Sequence, residues 1–404
     1  MNNREFLFLY DAANCNPNGD PDQENKPRMD RATKTNLVSS YRLKRYVRDY
    51  LIDNETNDNL DVFVRQMGER KISLETRLTG EIEKLKSDQK VFDALVENDD
   101  ELKKLLGYFK SNVKAISGLS AFEIFVLDGE EKIKSTIAGT GKPEKEAKAK
   151  EEAFIKSNKG FINNAVLTAL VKSKFIDIRF FGGSFAVKGF SRTFTGAIQV
   201  NLGYSLHPVE LNTSNSLVTI MPAKSTDDGQ GTIGKNETLF YSLIGFSGTV
   251  NAKKAEINGL KDTDLVLFRQ SLIKSILETR TESKKNQYPR FYLEIEYKGV
   301  EEIEKDGKKI KTRKETYGRL GDLRNHVKVV SKATDRNDDK DFTKVRKLED
   351  LDIDFNPLFE KIKLVEDKIA GIKIWTSLDF DSKEIKTQLT KICTGIKNIE
   401  ELTI

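Results

Sequence analysis

Arg42, Lys44, Arg45 and Arg48 fall within seven residues of VSSYRLKRYVRDYL (38–51), with no anion among them. From Lys26 to Arg48 there are eight cations, Arg28, Arg31 and Lys34 included, against one anion, Asp30. That local excess of seven exceeds the +5 of the whole chain, so the rest is net acidic. Positive charge gathered in one place suits a polyanion. Arginine adds a planar fork that holds phosphate through two hydrogen bonds, which lysine cannot do.

Other residues could do different chemistry, and each set lacks a component. Asp20, Asp22, Glu24 and Asp30 suggest a Mg²⁺ or Ca²⁺ loop, but DPDQE has neither the mid-loop glycine nor the terminal glutamate of an EF-hand, and proline interrupts it. GQGTIGKN (229–236) fits G-x-G-x-x-G and most of a P-loop. Asn236 stands where the Mg²⁺-binding hydroxyl belongs, and KSTDD precedes it in place of a buried strand. A flexible glycine loop is the simpler reading. Cys15 has no identifiable histidine partner, so it reads as a small filler, and His207, before Pro208, as structural. KGFSRTF (188–194) weakly echoes the aromatic stacking motif of RNA-recognition domains, and Lys188 and Arg192, beside Arg179, extend the basic region.

The elements that position these residues follow from periodicity. EFLFLYDA (5–12) reads as a strand buried on both faces, and NCNPNGDPDQENKP after it as turns. A helix starts between Asn36 and Ser40 and runs to about Asp53. At roughly 100° per residue, Leu43, Tyr46, Val47, Tyr50 and Leu51 share one side, while Lys44, Arg45 and Arg48 gather opposite with Tyr41. Ser39 and Ser40 sit at the helix entry, where the dipole favours an anion.

Residues 56–174 are Lys/Glu-rich with helical spacing and read as an inserted helical domain. FIDIRFFGGSFAV (175–187) and TFTGAIQVNLGYSL (193–206) read as strands, and 208–250 as a projecting hairpin or loop. DTDLVLFRQSLIKSIL (262–277) is an amphipathic helix capped by Asp262 or Thr263, and RFYLEIEYK (290–298) a strand. Asp306-Gly307 marks a hairpin turn, and 340–404 is helical, then mixed. Without its insertions the order is βαββαβ, an α+β, ferredoxin-like arrangement shared with the RRM.

The bulk numbers agree with a globular protein. At 404 residues, 37% hydrophobic and 32% charged, the chain can bury a core beneath a charged surface. Two cysteines cannot make a disulfide framework, and two isolated histidines cannot make a His/Cys metal site. No apolar run is long enough for a signal peptide or a spanning helix, so the expectation is a cytoplasmic protein with no cofactor and no membrane partner.

LYDAANCNPNGDPDQENKPRMD followed by NLVSSYRLKRYVRDYL, with DIRFFGGSFAVKG and TGAIQVNLGYSLHPVE later, resembles the Cas family seven backbone subunits (RAMP superfamily) of type I CRISPR Cascade. It looks most like subtype I-B, with I-C as near relative. The resemblance implies an RRM-like palm (1–55 and 175–300), a helical finger insertion (56–174), a β-rich thumb inside 208–250, and a hairpin with a C-terminal helical extension (301–404). It implies copies stacked in a helical filament on CRISPR guide RNA, other Cascade subunits as partners, and target DNA reached through guide pairing. The family's S-S-x-x-L-K-R-x-x-R helix contacts guide phosphates, which here implies Ser39, Ser40, Lys44, Arg45 and Arg48; the basic region read from the sequence itself adds Arg28, Arg42, Lys188 and Arg192 as RNA-binding candidates. The thumb over the RNA would use Met221, Lys224 and Lys235. No catalytic residue and no metal are implied. A metal-dependent nuclease using the loop aspartates and a P-loop ATPase are the rival readings.

Calorimetry with ATP is expected to give no binding heat, because GQGTIGKN lacks its hydroxyl and its strand. A saturable isotherm would restore the nucleotide reading.

Overall fold

The apolar run at Glu5–Ala12 forms the middle of strand β1 (Arg4–Cys15). Phe6, Phe8 and Tyr10 point to one face, and Leu7 and Leu9 to the other, all fully buried. A strand covered on both faces has no polar side to offer, which is why the sequence does not alternate. The computed structural model describes all residues except 55–59, 66–72, 113–120, 127–144, 188–189, 213–215, 219–232, 236, 306–307, 314–319 and 334–339.

After β1 come two short ladders, β2 (Gly19–Asp20) with β3 (Lys26–Pro27), and β4 (Met29–Asp30) with β5 (Thr35–Val38). The segment read only as turns therefore holds paired backbone. Glu24, Asn25 and Lys34, all at positive φ, make the reversals. Helix α1 (Ser40–Asn54) follows.

Two units divide the chain, Met1–Glu55 with Ala197–Ile404, and Thr56–Gly196. The second unit holds α2 (Leu74–Ser87), α3 (Gln89–Glu97), α4 (Asp100–Asn112), α5 (Ala121–Val126), α6 (Lys145–Lys174) and α7 (Ile176–Phe181), then the hairpin β6 (Gly182–Val187) and β7 (Phe190–Thr195). Its core gathers Phe63, Phe92, Phe175 and Phe185 with Leu and Val of the helices.

Two expectations are corrected here. FIDIRFF is helix α7, not strand, because the Asp177 carboxylate accepts the N–H groups of Phe63 (2.7 Å) and Val64 (3.2 Å) and ties the segment to the chain before α2. Gly182, at φ 76°, then ends the helix. The inserted unit also runs to Gly196 rather than 174. Gly196 lies against Phe181, where an added Cβ would sit 2.2 Å from the Phe181 carbonyl carbon.

The first unit resumes with β8 (Ile198–Val200), β9 (Gly203–Ser205), β10 (Leu211–Asn212), the pair β11 (Ser216–Val218) and β12 (Ile233–Lys235), and β13 (Thr238–Val250). Helices α8 (Ala252–Asn258) and α9 (Asp262–Glu278) lead to β14 (Gln287–Tyr297). Strands β15 (Val300–Lys305) and β16 (Lys308–Arg313) pair up to Lys305↔Lys308; the turn read at Asp306-Gly307 lies outside the described residues. The tail gives β17 (Lys328–Ser331), β18 (Leu351–Asp354), α10 (Asn356–Lys363), β19 (Ile369–Thr376), α11 (Ser382–Ile392) and β20 (Ile399–Glu401).

The main sheet runs β20-β19-β14-β1-β13-β9-β5-β4, with β8 and β10 also on β13. β1 pairs antiparallel with β13 and with β14 along nearly its whole length. On one face Phe6 meets Phe268 of α9 and Tyr292 of β14, and α1 packs against α9. On the other, Leu7, Leu9 and Phe291 meet Phe355, Leu358 and Leu389 of the tail.

Helix α9 is buried further round than its amphipathic pattern suggests. Ser271 and Ser275 are fully covered, whereas Leu277, an apolar residue of its last turn, is exposed. It starts after Lys261, whose N–H donates to Asp264 at 2.9 Å, so Asp262 lies within the helix and is not its cap. Arg269 grips Glu294 of β14 through two bonds of 2.8 and 2.7 Å, and Arg4 lies 3.2 Å from the same carboxylate. Burial pushes the Glu294 carboxyl up, but Arg269, Tyr292 and Arg4 outweigh it and hold it below the usual range. Its contribution to stability is therefore full at neutral pH and is lost as pH falls through the carboxylate range.

Arg269→Ala leaves Glu294 buried and short of its main partner. Denaturant unfolding should show a loss of about 3–5 kcal/mol; a loss below about 1 kcal/mol would mean that Arg4 alone neutralises the site.

Candidate nucleic-acid interface

Helix α1 begins where its sequence permits. The Ser39 hydroxyl accepts the Arg42 N–H at 3.2 Å, capping the first turn, and donates to Asn18 at 3.1 Å. Leu43, Tyr46, Val47 and Leu51 are buried, and Tyr50, read with them, is half-buried. That inward stripe turns the next residues outward.

Tyr41 is 79% exposed, with the Lys44 ammonium 5.8 Å from its ring centroid. Arg45 is exposed and pairs with Asp49 at 2.6 Å, one helical turn on. Such a surface pair is worth little and exchanges readily for a better anion. Lys44 and Arg48 are half-buried. Burial first, then the charge of Arg48, lowers the Lys44 ammonium below its ordinary value. An arriving phosphate would relieve that repulsion. Ser40 is half-buried in the same first turn.

Arg42 faces elsewhere. Its guanidinium lies 4.1 Å over the Tyr46 ring, and its Nε is buried without a hydrogen-bond partner. Beside it stands Lys284, in the turn before β14, which sequence reasoning missed. The Lys284 ammonium donates to the Asn16 carbonyl, and Gln287 bonds both the Lys284 carbonyl and the Tyr46 hydroxyl. Burial first, and Arg42 second, push Lys284 down to about 8. Only the pairing of β1 with β14 brings these positions together, so no local signal could have found Lys284.

Arg28 is half-buried, 3.4 Å from Asp20, and Lys34 pairs with Glu210 at 2.8 Å. Arg192 is exposed in the second unit, over the Phe194 ring. Arg179, read as part of a basic region, is buried and donates to the carbonyls of Lys172 and Ser173, closing the end of α6. Lys235 lies on β12. Lys188, Met221 and Lys224 lie outside the described residues, as does GQGT of the glycine motif.

The loop acids serve the loop. Asp20 accepts the Asp22 N–H at 3.2 Å, and Asp30 accepts Thr33 and Ala32, which hold its carboxyl below the ordinary value. Among the described residues no group of three or more His, Cys, Asp or Glu could hold a metal ion, and no helix is long and apolar enough to cross a membrane. Cys15 is buried, which pushes its thiol up to about 12. His207 is buried, donates from Nδ1 to the Pro208 carbonyl and accepts the Leu243 N–H, while burial pulls it down to about 4. It is a neutral structural histidine.

Comparison with known proteins places these residues in context. A family model described as CRISPR-associated protein Cas7 matches residues 2–356. The chain is 24% identical over 378 residues to a CRISPR-associated protein Cas7 of Haloferax volcanii, covering 93% of this chain and 86% of that one. It is also similar to a chain of a solved structure described as a CRISPR RNA-guided surveillance complex, pre-nicking, at 14% identity, 99% and 96% coverage and a TM-score of 0.45. A second, described as a CRISPR RNA-guided surveillance complex, gives 11% identity, 99% and 95% coverage and a TM-score of 0.42.

Ser39→Ala removes the cap of α1 and the bond to Asn18. It should lower stability by about 1 kcal/mol, read as a fall in melting temperature, and an unchanged melting curve would show the helix start to be held by packing alone.

Proposed function

The chain belongs to the CRISPR-associated Cas7 family, and from that premise we propose that it is a backbone subunit of a type I Cascade complex. It binds guide RNA through phosphates without reading sequence, stacks with copies of itself in a helical filament, and leaves bases outward to pair with target DNA. Other Cascade subunits complete the particle, which works in the cytoplasm in antiviral defence. The carrying observation is the outward side of α1, where Tyr41, Lys44, Arg45 and Arg48 share one face. Cations track a backbone and an aromatic ring offers a surface to any base, so this combination suits single-stranded RNA of every sequence. Guide pairing then supplies specificity.

The strand order β14-β1-β13-β9, with α1 and α9 on one face, supports the RRM-like, ferredoxin-like reading of the first unit as the palm. Thr56–Gly196 serves as the finger. The β11–β12 hairpin belongs to the thumb, with Met221, Lys224 and Lys235 over the RNA. In this reading the subunit holds RNA and does not cut it, needing no cofactor; Asp20 and Asp30 are engaged as a cap, a turn acceptor and an ion-pair partner of their own loop.

Replacing Lys44, Arg45 and Arg48 together by alanine should weaken RNA of every sequence alike and flatten the plot of log K against log salt by roughly 0.7 per lost phosphate contact. An unchanged slope sinks this contact face. Matched RNA incubated with the protein and Mg²⁺ should stay intact; cleavage abolished by Asp22→Ala would make the chain a nuclease instead.

A further inference from the structure

Buried arginines in the first unit lie against carboxylates, Arg4 and Arg269 on Glu294 and Arg324 on Asp322, and so does half-buried Arg290, on Asp11. Arg42 and Lys284 are different. They are half-buried together, and among the described residues no carboxylate pairs with either. The groups that face Lys284 are Arg42 from α1, Cys15 from β1 and the Asn16 carbonyl, with the Tyr46 hydroxyl linked through Gln287 and Tyr10 beside Arg42 and Cys15. In its own turn Lys285 is paired with Glu282, and the Arg280 guanidinium donates to the Leu277 carbonyl.

Three polar atoms here are buried without partners: Arg42 Nε, the Tyr10 hydroxyl and Asn16 Oδ1. Tyr10 is fully buried and Asn16 is 2% exposed. Two like charges and an unused guanidinium donor, partly withdrawn from water, raise the energy of the free protein. One multivalent anion offsets the repulsion, since a tetrahedral oxyanion carries acceptors for both a guanidinium and an ammonium. The first turn of α1, to which Arg42 belongs, adds a favourable dipole.

We propose that Arg42 and Lys284 form a site for one phosphate group, separate from the face of Lys44, Arg45 and Arg48. In the filament this phosphate belongs to the guide backbone, an assignment that rests on the RNA-binding reading; a free phosphate ester has the same chemistry. Because Lys284 titrates near 8 in the free chain, it is cationic below that pH and neutral above it. Phosphate favours the cation, so affinity falls as pH rises through 8 and binding there takes up a proton.

The test uses the full chain, homopolymeric single-stranded RNA and inorganic phosphate, with Lys284→Met, Arg42→Met, Lys284→Arg and a Lys44→Ala/Arg48→Ala control. Lys284→Met and Arg42→Met should each lower the salt slope by about 0.7 and weaken RNA roughly tenfold. Lys284→Arg should bind as the parent does near pH 7 and lose the parent's decline toward pH 9. That arm still decides the matter if the methionine variants fail to fold. If the control alone flattens the slope, the helix face stands and this site falls. If the methionine variants flatten it and the control does not, the site stands and the helix face falls. Unchanged slopes, with millimolar phosphate raising the parent's melting temperature but not that of Lys284→Met, assign the site to a free phosphate ester. Unchanged slopes, no phosphate stabilisation and a pH profile shared by Lys284→Arg and the parent overturn it.

Discussion

The double pairing of β1 governs what the rest of the first unit can do. With β13 on one edge and β14 on the other, paired from Arg4 to Ala12 with one register shift on the β14 side between Leu9 and Tyr10, the strand cannot slip without exposing Phe6, Phe8 and Tyr10 or Leu7 and Leu9. Its exit is fixed as well. Ala13 N–H bonds the Asn286 carbonyl, and Asn16 N–H the Ser283 carbonyl, so the loop leaving β1 is tied to the turn entering β14. That loop supplies Asn18, which holds Ser39 and with it the start of α1. Sheet register thus sets where the helix begins and which of its sides meets water.

Charge follows a consistent division between inside and outside. Inside, guanidinium groups of Arg4 and Arg269 meet Glu294 beneath α9, and Arg290 meets Asp11 between strands. These pairs specify geometry more than they add stability, since desolvation offsets most of the attraction. Around Arg42 the balance is not struck among the described residues. Arg45, itself exposed, has Asp49 as a neighbour it can release, while Arg42 and Lys284 repel one another. Under the proposed function, the balancing negative charge arrives with the guide backbone.

How much was legible depended on how local each signal is. β1, α1, α9 and β14 were readable because burial on a fixed period leaves a pattern in consecutive residues, as with Leu43, Tyr46, Val47 and Leu51. FIDIRFF misled because its β-branched and aromatic residues favour strand, and only the remote contacts of Asp177 and the positive φ of Gly182 make it helix. The end of the inserted unit was placed too early for the same reason. In the candidate site, the outward face of α1 was visible in residue spacing. The divergence of Arg42 and the presence of Lys284 were not, because a cross-strand register relates them and 242 positions separate them in the chain.

The central claim is that RNA runs along the outward side of α1 without regard to its letters. Ultraviolet crosslinking of the full chain to two homopolymers of different base, followed by peptide mapping, addresses it directly. The account predicts adducts on the Tyr41 peptide with both polymers. Adducts confined to other segments, or to one polymer alone, contradict it.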